Sequence, residues 1–185
     1  AATVASMAIT EDIAVQDVDY GQLRERLLKE GQVLNYEYTY TGKAGVDPEN
    51  LIGTVVDDGM AKLTGSWGNS SSTGTWVGRE YRHDGNKADG RSIATFEAKL
   101  KPGRYEVRLA YSHNGNRATN VPVVVHHAEG NRTILVNQKK VPPIDKLFVS
   151  LGEFTFSADT PAVVTISNQE TDGYVIIDAI QWIAK

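Results

Sequence analysis

The feature that most limits the fold is a change of hydrophobic period. The first 34 residues carry apolar side chains at helical spacing, and from Leu34 onward the period is two. "ATFEAKL" (94–100) alternates Ala94, Phe96, Ala98 and Leu100 with Thr95, Glu97 and Lys99. After the turn "KPGR" (101–104), "YEVRLAY" alternates Tyr105, Val107, Leu109 and Tyr111 with Glu106, Arg108 and Ala110. The pair predicts a hairpin with one wet face on each strand. "VPVVVHHA", "RTILVNQ", "EFTFS", "AVVTIS" and "YVIIDAIQWI" follow, each bounded by Gly, Pro, Asn or Asp. Short strands between turn signals, without βαβ alternation, indicate a sandwich or barrel. The expectation is an all-β antiparallel sandwich, jelly-roll-like and galactose-binding-like, with a short N-terminal helical segment.

That segment has its own signals. "AATVASMAI" is Ala-rich, and "DYGQLRERLLKEG" reads as a helix. Asp19 suits the N-cap, Leu23, Leu27 and Leu28 form a stripe, and Gly31 sits where a C-terminal cap belongs. A helix this short is marginal alone in water, so it must pack on something. The chain starts without Met and without a basic leader region, and reads as a piece of something longer. The expected division is 1–34, a helical tail of an upstream domain or a linker, and 35–185, a β-sandwich module.

Composition removes several functions. Charged residues are 23% and hydrophobic residues 41%, the balance of a globular chain rather than a disordered one. The net charge of −4 comes without a basic stripe, which argues against a nucleic-acid partner. No apolar run approaches the roughly 20 residues that span a bilayer, so no membrane partner is expected. Without cysteine there is no disulfide framework and no thiolate metal site. No G-x-G-x-x-G, Walker, G-x-S-x-G or H-E-x-x-H motif occurs, and no cofactor is expected in this chain.

The candidate residues lie in loops. "SWGNSSSTGTW" (66–76) and "YRHDGNKADG" (81–90) are Gly- and Ser-rich or turn-forming. Trp67, Trp76 and Tyr81 would make a saccharide platform, since flat rings stack on sugar C–H surfaces. Trp67 and Trp76 read equally as core plugs, and Trp182 as core. His83 and Asp84 are ligand candidates, or end a strand and start a turn. His126 and His127 point to opposite faces of a strand and cannot chelate one metal together. The loop "YSHNGNRATNVP" (111–122) reads as a long hairpin-type connection with Pro122 at an edge or strand start. It adds His113, Arg117 and Asn120 as ligand candidates. Asp178 falls in "YVIIDAIQWI" on one face with Tyr174, Ile176, Ile180 and Trp182. An acid there needs a partner: Arg117, Arg108, backbone N–H groups, or a calcium ion shared with Asp57 and Asp58. Arg117 is expected to be at least partly buried and hydrogen-bonded, satisfying Asp178 or a ligand carboxylate.

The runs "LTGSWGNSSSTGTWVGREYRHDGN", "GRYEVRLAYSHNGNRATNVPVVVHHAEGNRTILVNQ", "PPID" and "TDGYVIIDAIQWI" resemble the golvesin C-terminal-like domain, a module also found in xanthan lyases. The resemblance covers about 36–185. It implies a carbohydrate-binding-like sandwich appended to enzymes of polysaccharide breakdown or to flavin-dependent proteins. Residues 1–34 resemble the last helices of bacterial FAD-dependent oxidoreductases, which implies a flavin domain upstream and no flavin contacts here. The functional expectation is a non-catalytic accessory module, extracellular or periplasmic, with a polysaccharide and the upstream catalytic domain of the same chain as partners. The alternatives are a purely structural or docking module, and a polysaccharide lyase or hydrolase using His83 or His113.

Overall fold

A computed structural model of the chain describes residues 2–32, 45–159 and 161–185. The chain divides into two compact units, Ala1–Tyr40 and Thr41–Lys185. The expected onset of strands at Leu34 and the boundary between residues 34 and 35 lie outside the described residues.

The first unit holds two helices, α1 (Ala2–Glu11) and α2 (Tyr20–Lys29). Asp19 caps α2 as expected, its Oδ1 accepting from the Gln22 N–H at 2.9 Å. At the other end Gly31 takes φ +77°, and the Gln32 N–H donates to the Leu27 carbonyl at 2.9 Å. That closure needs a left-handed residue, which is why glycine stands there. Leu23 and Leu27 are half-buried while Leu28 faces outward, so the apolar stripe is narrower than its spacing suggested.

Among the described residues the second unit contains twelve strands. In order they are β1 (Thr54–Asp57), β2 (Lys62–Thr64), β3 (Gly68–Ser70), β4 (Tyr81–His83), β5 (Ile93–Ala98) and β6 (Gly103–Ala110). Then come β7 (Val121–His127), β8 (Gly130–Val136), β9 (Phe148–Phe156), β10 (Ala162–Ser167), β11 (Ile176–Ile177) and β12 (Ala179–Ala184). One sheet has the order β1-β12-β6-β9, the second β2-β5-β10-β7-β8, and a small third sheet β11-β4-β3. Among the described residues every ladder between these strands is antiparallel, so the fold is the expected antiparallel β-sandwich. Phe96, Val123, Val125 and Ile166 from one large sheet and Val107, Leu109, Ile180 and Trp182 from the other are fully buried in one core.

Four expectations are corrected. β5 and β6 are not a hairpin: β5 pairs β2 and β10, whereas β6 pairs β12 and β9 in the other sheet. Alternation places Phe96 and Val107 toward the core correctly, but does not say from which side of it. The same reason turns 111–120 from a hairpin loop into a crossover between sheets. The outer face of β6 is not wet. Glu106 is ion-paired with Arg108 and Lys185, each at 2.8 Å, and Ala110 packs with Val77, Leu147, Phe148 and Ala179. Finally, "YVIIDAIQWI" is two strands, interrupted at Asp178, with β11 and β12 in different sheets.

Candidate functional site

One end of the sandwich carries a polar cavity of about 250 Å³. Its walls come from four chain segments. Ser70, Ser72 and Thr73 leave β3, Tyr81 and His83 point from alternate positions of β4, and Asn114, Asn116 and Arg117 come from the crossover. Tyr174 precedes β11 and completes the lining.

Local chemistry explains this assembly. Strand period sends Tyr81 and His83 to the cavity side of β4 while Arg82 turns away to Asp58, with Nε and Oδ2 3.5 Å apart. Gly68 lies opposite His83 in the β3–β4 ladder. A Cβ at Gly68 would stand 2.8 Å from His83 Cε1, so glycine there leaves room for the imidazole. His83 Nδ1 accepts from the Gly85 N–H at 3.2 Å, and its ring meets Tyr174 edge to face at 5.8 Å.

The crossover is sewn to the segment before β11 largely by main chain. The Ala118 N–H donates to the Tyr174 carbonyl at 2.9 Å, and the Tyr174 N–H to the Asn116 carbonyl at 3.1 Å. Gly173 permits this approach, since a Cβ there would lie 2.7 Å from the Arg117 carbonyl carbon and oxygen. Asp172 accepts from both the N–H and the hydroxyl of Thr119. Fully buried Gln138 receives the Ile176 N–H at 2.8 Å and donates to the Ile176 carbonyl at 2.7 Å.

Arg117 is 6% exposed and hydrogen-bonded, as expected, but Asp178 is not its partner. Its Nε donates to the Ser112 carbonyl at 3.1 Å, one terminal nitrogen to Asn116 Oδ1 at 2.9 Å, and the other to the Tyr81 hydroxyl at 3.3 Å. Its guanidinium carbon lies 5.7 Å from the Tyr81 ring centre. The Tyr81 hydroxyl also meets Ser70 and Ser72 at 3.1 and 3.4 Å. Burial alone raises the Tyr81 phenol, but the hydroxyls of Ser70, Ser72, Thr73 and Ser112 together outweigh it and bring the group down to about 7.

Asp178 takes the backbone alternative. Both carboxylate oxygens lie 3.1 Å from the Val77 N–H. Complete burial pushes its carboxyl well above the usual range, with the nearby charges of Asp57 and Asp58 adding to the rise. Arg108 is likewise spent elsewhere, on Glu106. Burial pushes Asp57 up to about 6 and Asp58 up to about 7. Among the described residues, no three acidic or histidine side chains converge as a metal-ligand set.

The other candidates separate from the cavity. Trp76 offers no open stacking face: it is 2% exposed, with its ring edge-on to Tyr81 at 6.2 Å. Trp67 packs partly buried against the core, its indole donating to the Thr64 carbonyl at 3.0 Å, and Trp182 is core. Asp84 is buried and saturated by the N–H groups of Asn86, Lys87 and Val175 and by the Asn168 amide. That is the turn-starting role, with no oxygen left for a ligand. Asn120 spends its amide on the Glu170 carbonyl and the Asp172 N–H. His113 shares the crossover but does not line the cavity. Tyr81, His83 and Arg117 are thus the candidates the fold brings together. Ser70, Ser72, Thr73, Asn114, Asn116 and Tyr174 join them without having been singled out from sequence. The serine run and the alternating asparagines were visible as turn formers, which masked their second use.

The molecule is therefore, in class, a two-sheet antiparallel β-sandwich domain with a loop-built polar pocket at one end. Residues 52–184 match the Golvesin C-terminal domain, and the chain belongs to that family. A xanthan lyase of Bacillus sp. (strain GL1) is 34% identical over 144 residues, covering 75% of this chain and 15% of that protein. The solved Paenibacillus xanthan lyase superposes with a TM-score of 0.66 at 31% identity, over 71% of this chain and 13% of that one. A β-(1,4)-mannanase of Podospora anserina shares the fold, with a TM-score of 0.53 at 16% identity over 71% of this chain and 27% of its own. The chain thus spans a small fraction of the relatives it matches.

Proposed function

We propose that the sandwich is a non-catalytic accessory module that binds a saccharide in the pocket between β4, the crossover and Tyr174. The observation that carries this reading is the convergence of hydroxyl, amide, imidazole and guanidinium groups beside the half-buried Tyr174 ring. Such a pocket offers hydrogen bonds to sugar hydroxyls and an aromatic surface to a sugar's C–H face. The kinship with xanthan lyases supports a carbohydrate-related role, and with it an extracellular or periplasmic location. Among the described residues no helix is long and apolar enough to cross a membrane. The helical unit we assign to the end of an upstream FAD-dependent oxidoreductase domain in the same chain, a reading that the upstream reading frame tests directly.

Isothermal titration with neutral and acidic oligosaccharides tests the binding role. Saturable binding that weakens at least about tenfold in Tyr174→Ala and Asn116→Ala is expected. Absence of binding across the panel overturns it in favour of a second reading, a structural or docking module. The burial of Trp76, Asp84 and Asp178 favours that second reading. The third, lyase or hydrolase chemistry at His83 or His113, requires turnover on a polysaccharide that disappears in the His→Ala variants.

A further inference from the structure

Taking as given the reading that this pocket binds a saccharide, we infer that the sugar it selects carries a carboxylate, recognised by Arg117. The argument starts from charge. Arg26, Arg82, Arg104 and Arg108 each lie within 4.0 Å of a carboxylate. Arg117, far more buried than Arg26 or Arg104, has no carboxylate at ion-pair distance among the described residues. Its three hydrogen bonds go to a carbonyl, an amide oxygen and a phenol, all formally uncharged acceptors when Tyr81 is protonated.

A buried cation without a counter-charge is costly, and a carboxylate that reaches it recovers much of that cost. The pocket lining contains no Asp or Glu, so no carboxylate in its wall competes with an incoming anion. Each terminal guanidinium nitrogen carries two hydrogens, and one on each is committed. The remaining pair are donors for which a carboxylate is the matching acceptor. Three bonds, to Ser112, Asn116 and Tyr81, hold the fork in place before a ligand arrives, which reduces the ordering cost of binding. At about 250 Å³ the cavity falls below the range of drug-sized sites, which suits one sugar ring or chain end rather than a long polymer segment. Asn114 and His83 then stand beside that ring as hydroxyl partners.

The test compares, on the whole 185-residue chain, methyl glycosides of glucuronate and galacturonate with methyl glucoside and methyl galactoside. Heteronuclear NMR shifts give affinities even when binding is weak. At least one uronide is expected to bind about tenfold or more tighter than its neutral counterpart, and that preference is expected to vanish in Arg117→Gln. Arg117→Lys, which keeps the charge and loses the fork, is expected to retain only part of it. The wild-type comparison needs no variant, so a misfolded Arg117→Gln protein leaves the test intact. Equal binding of acidic and neutral glycosides overturns this inference and leaves the saccharide reading standing. Binding of none of them, nor of longer oligosaccharides, overturns both. Acetate that binds at the same residues as tightly as the uronides shows a carboxylate site that ignores sugar, and overturns the inference as stated.

Discussion

Asp58, Asp57 and Asp178 form a group of carboxyls whose protonated forms the fold favours. Burial is the first cause for each. The sign of the consequence follows from proton linkage. Folded Asp57 and Asp58 titrate near about 6 and about 7, whereas the unfolded chain titrates near 3.8. Between those limits the native state holds more protons, so stability is greatest below the unfolded value and is lost as pH rises. Thermal unfolding in the presence of a chelator is expected to show a midpoint that falls by several degrees between about pH 4.5 and about pH 8, equivalent to ~2 kcal/mol or more. Asp58→Asn is expected to flatten that fall. Identical slopes in both proteins would show that the assignment to Asp58 is wrong. Sequence revealed that Asp178 needed a partner and that Arg117 would be held inside. It did not reveal that they serve different neighbours, because Val77 N–H and Ser112 O are main-chain groups with no signature in residue type.

At the scale of elements, the crossover depends on a glycine. Gly173→Ala forces a Cβ against the Arg117 carbonyl, where backbone rather than a pliable side chain is the obstacle. The expected cost is about 1–3 kcal/mol of stability. Hydrogen exchange at the Ala118 and Tyr174 amides is expected to accelerate more than exchange in β6 or β7. Uniform acceleration throughout the sheets, or none, would count against the local bracing described. The strands themselves were legible: β5, β7 and β10 follow the alternation of their side chains closely. What alternation withholds is the partner, because a core-facing residue looks alike from either sheet. Hence β5 and β6 read as a hairpin and are not one. The break at Asp178 was hidden for a related reason, since apolar residues flank it on both sides and mark no boundary.

The molecule consists of two units with very different interiors. Thr41–Lys185 has a core running from Val56 to Trp182, while in the helical unit Ile9 is 81% exposed and Tyr20 75%. A chain of residues 41–185 is expected to unfold in one cooperative transition by circular dichroism and differential scanning calorimetry, with equal van 't Hoff and calorimetric enthalpies. A broad, non-cooperative melt would show that the sandwich is not self-sufficient. At this scale the all-β class was the most legible property, because it needs only the period of the pattern. The pocket was the least legible, because it needs residues 70, 83, 116 and 174 to meet, and no local pattern announces a meeting of distant segments.

The main-chain stitching between the crossover and the segment before β11 has a consequence for how such a pocket can change over time. Ala118, Tyr174 and Asn116 are joined through peptide groups, which every residue except proline supplies in full. The frame is therefore largely indifferent to what Asn114, His83 or the Tyr174 ring present to the cavity. Mutation can re-line the cavity, one wall residue at a time, without first finding a new way to hold it open. A scaffold that separates its upkeep from its selectivity in this way can be handed among chains that recognise different ligands.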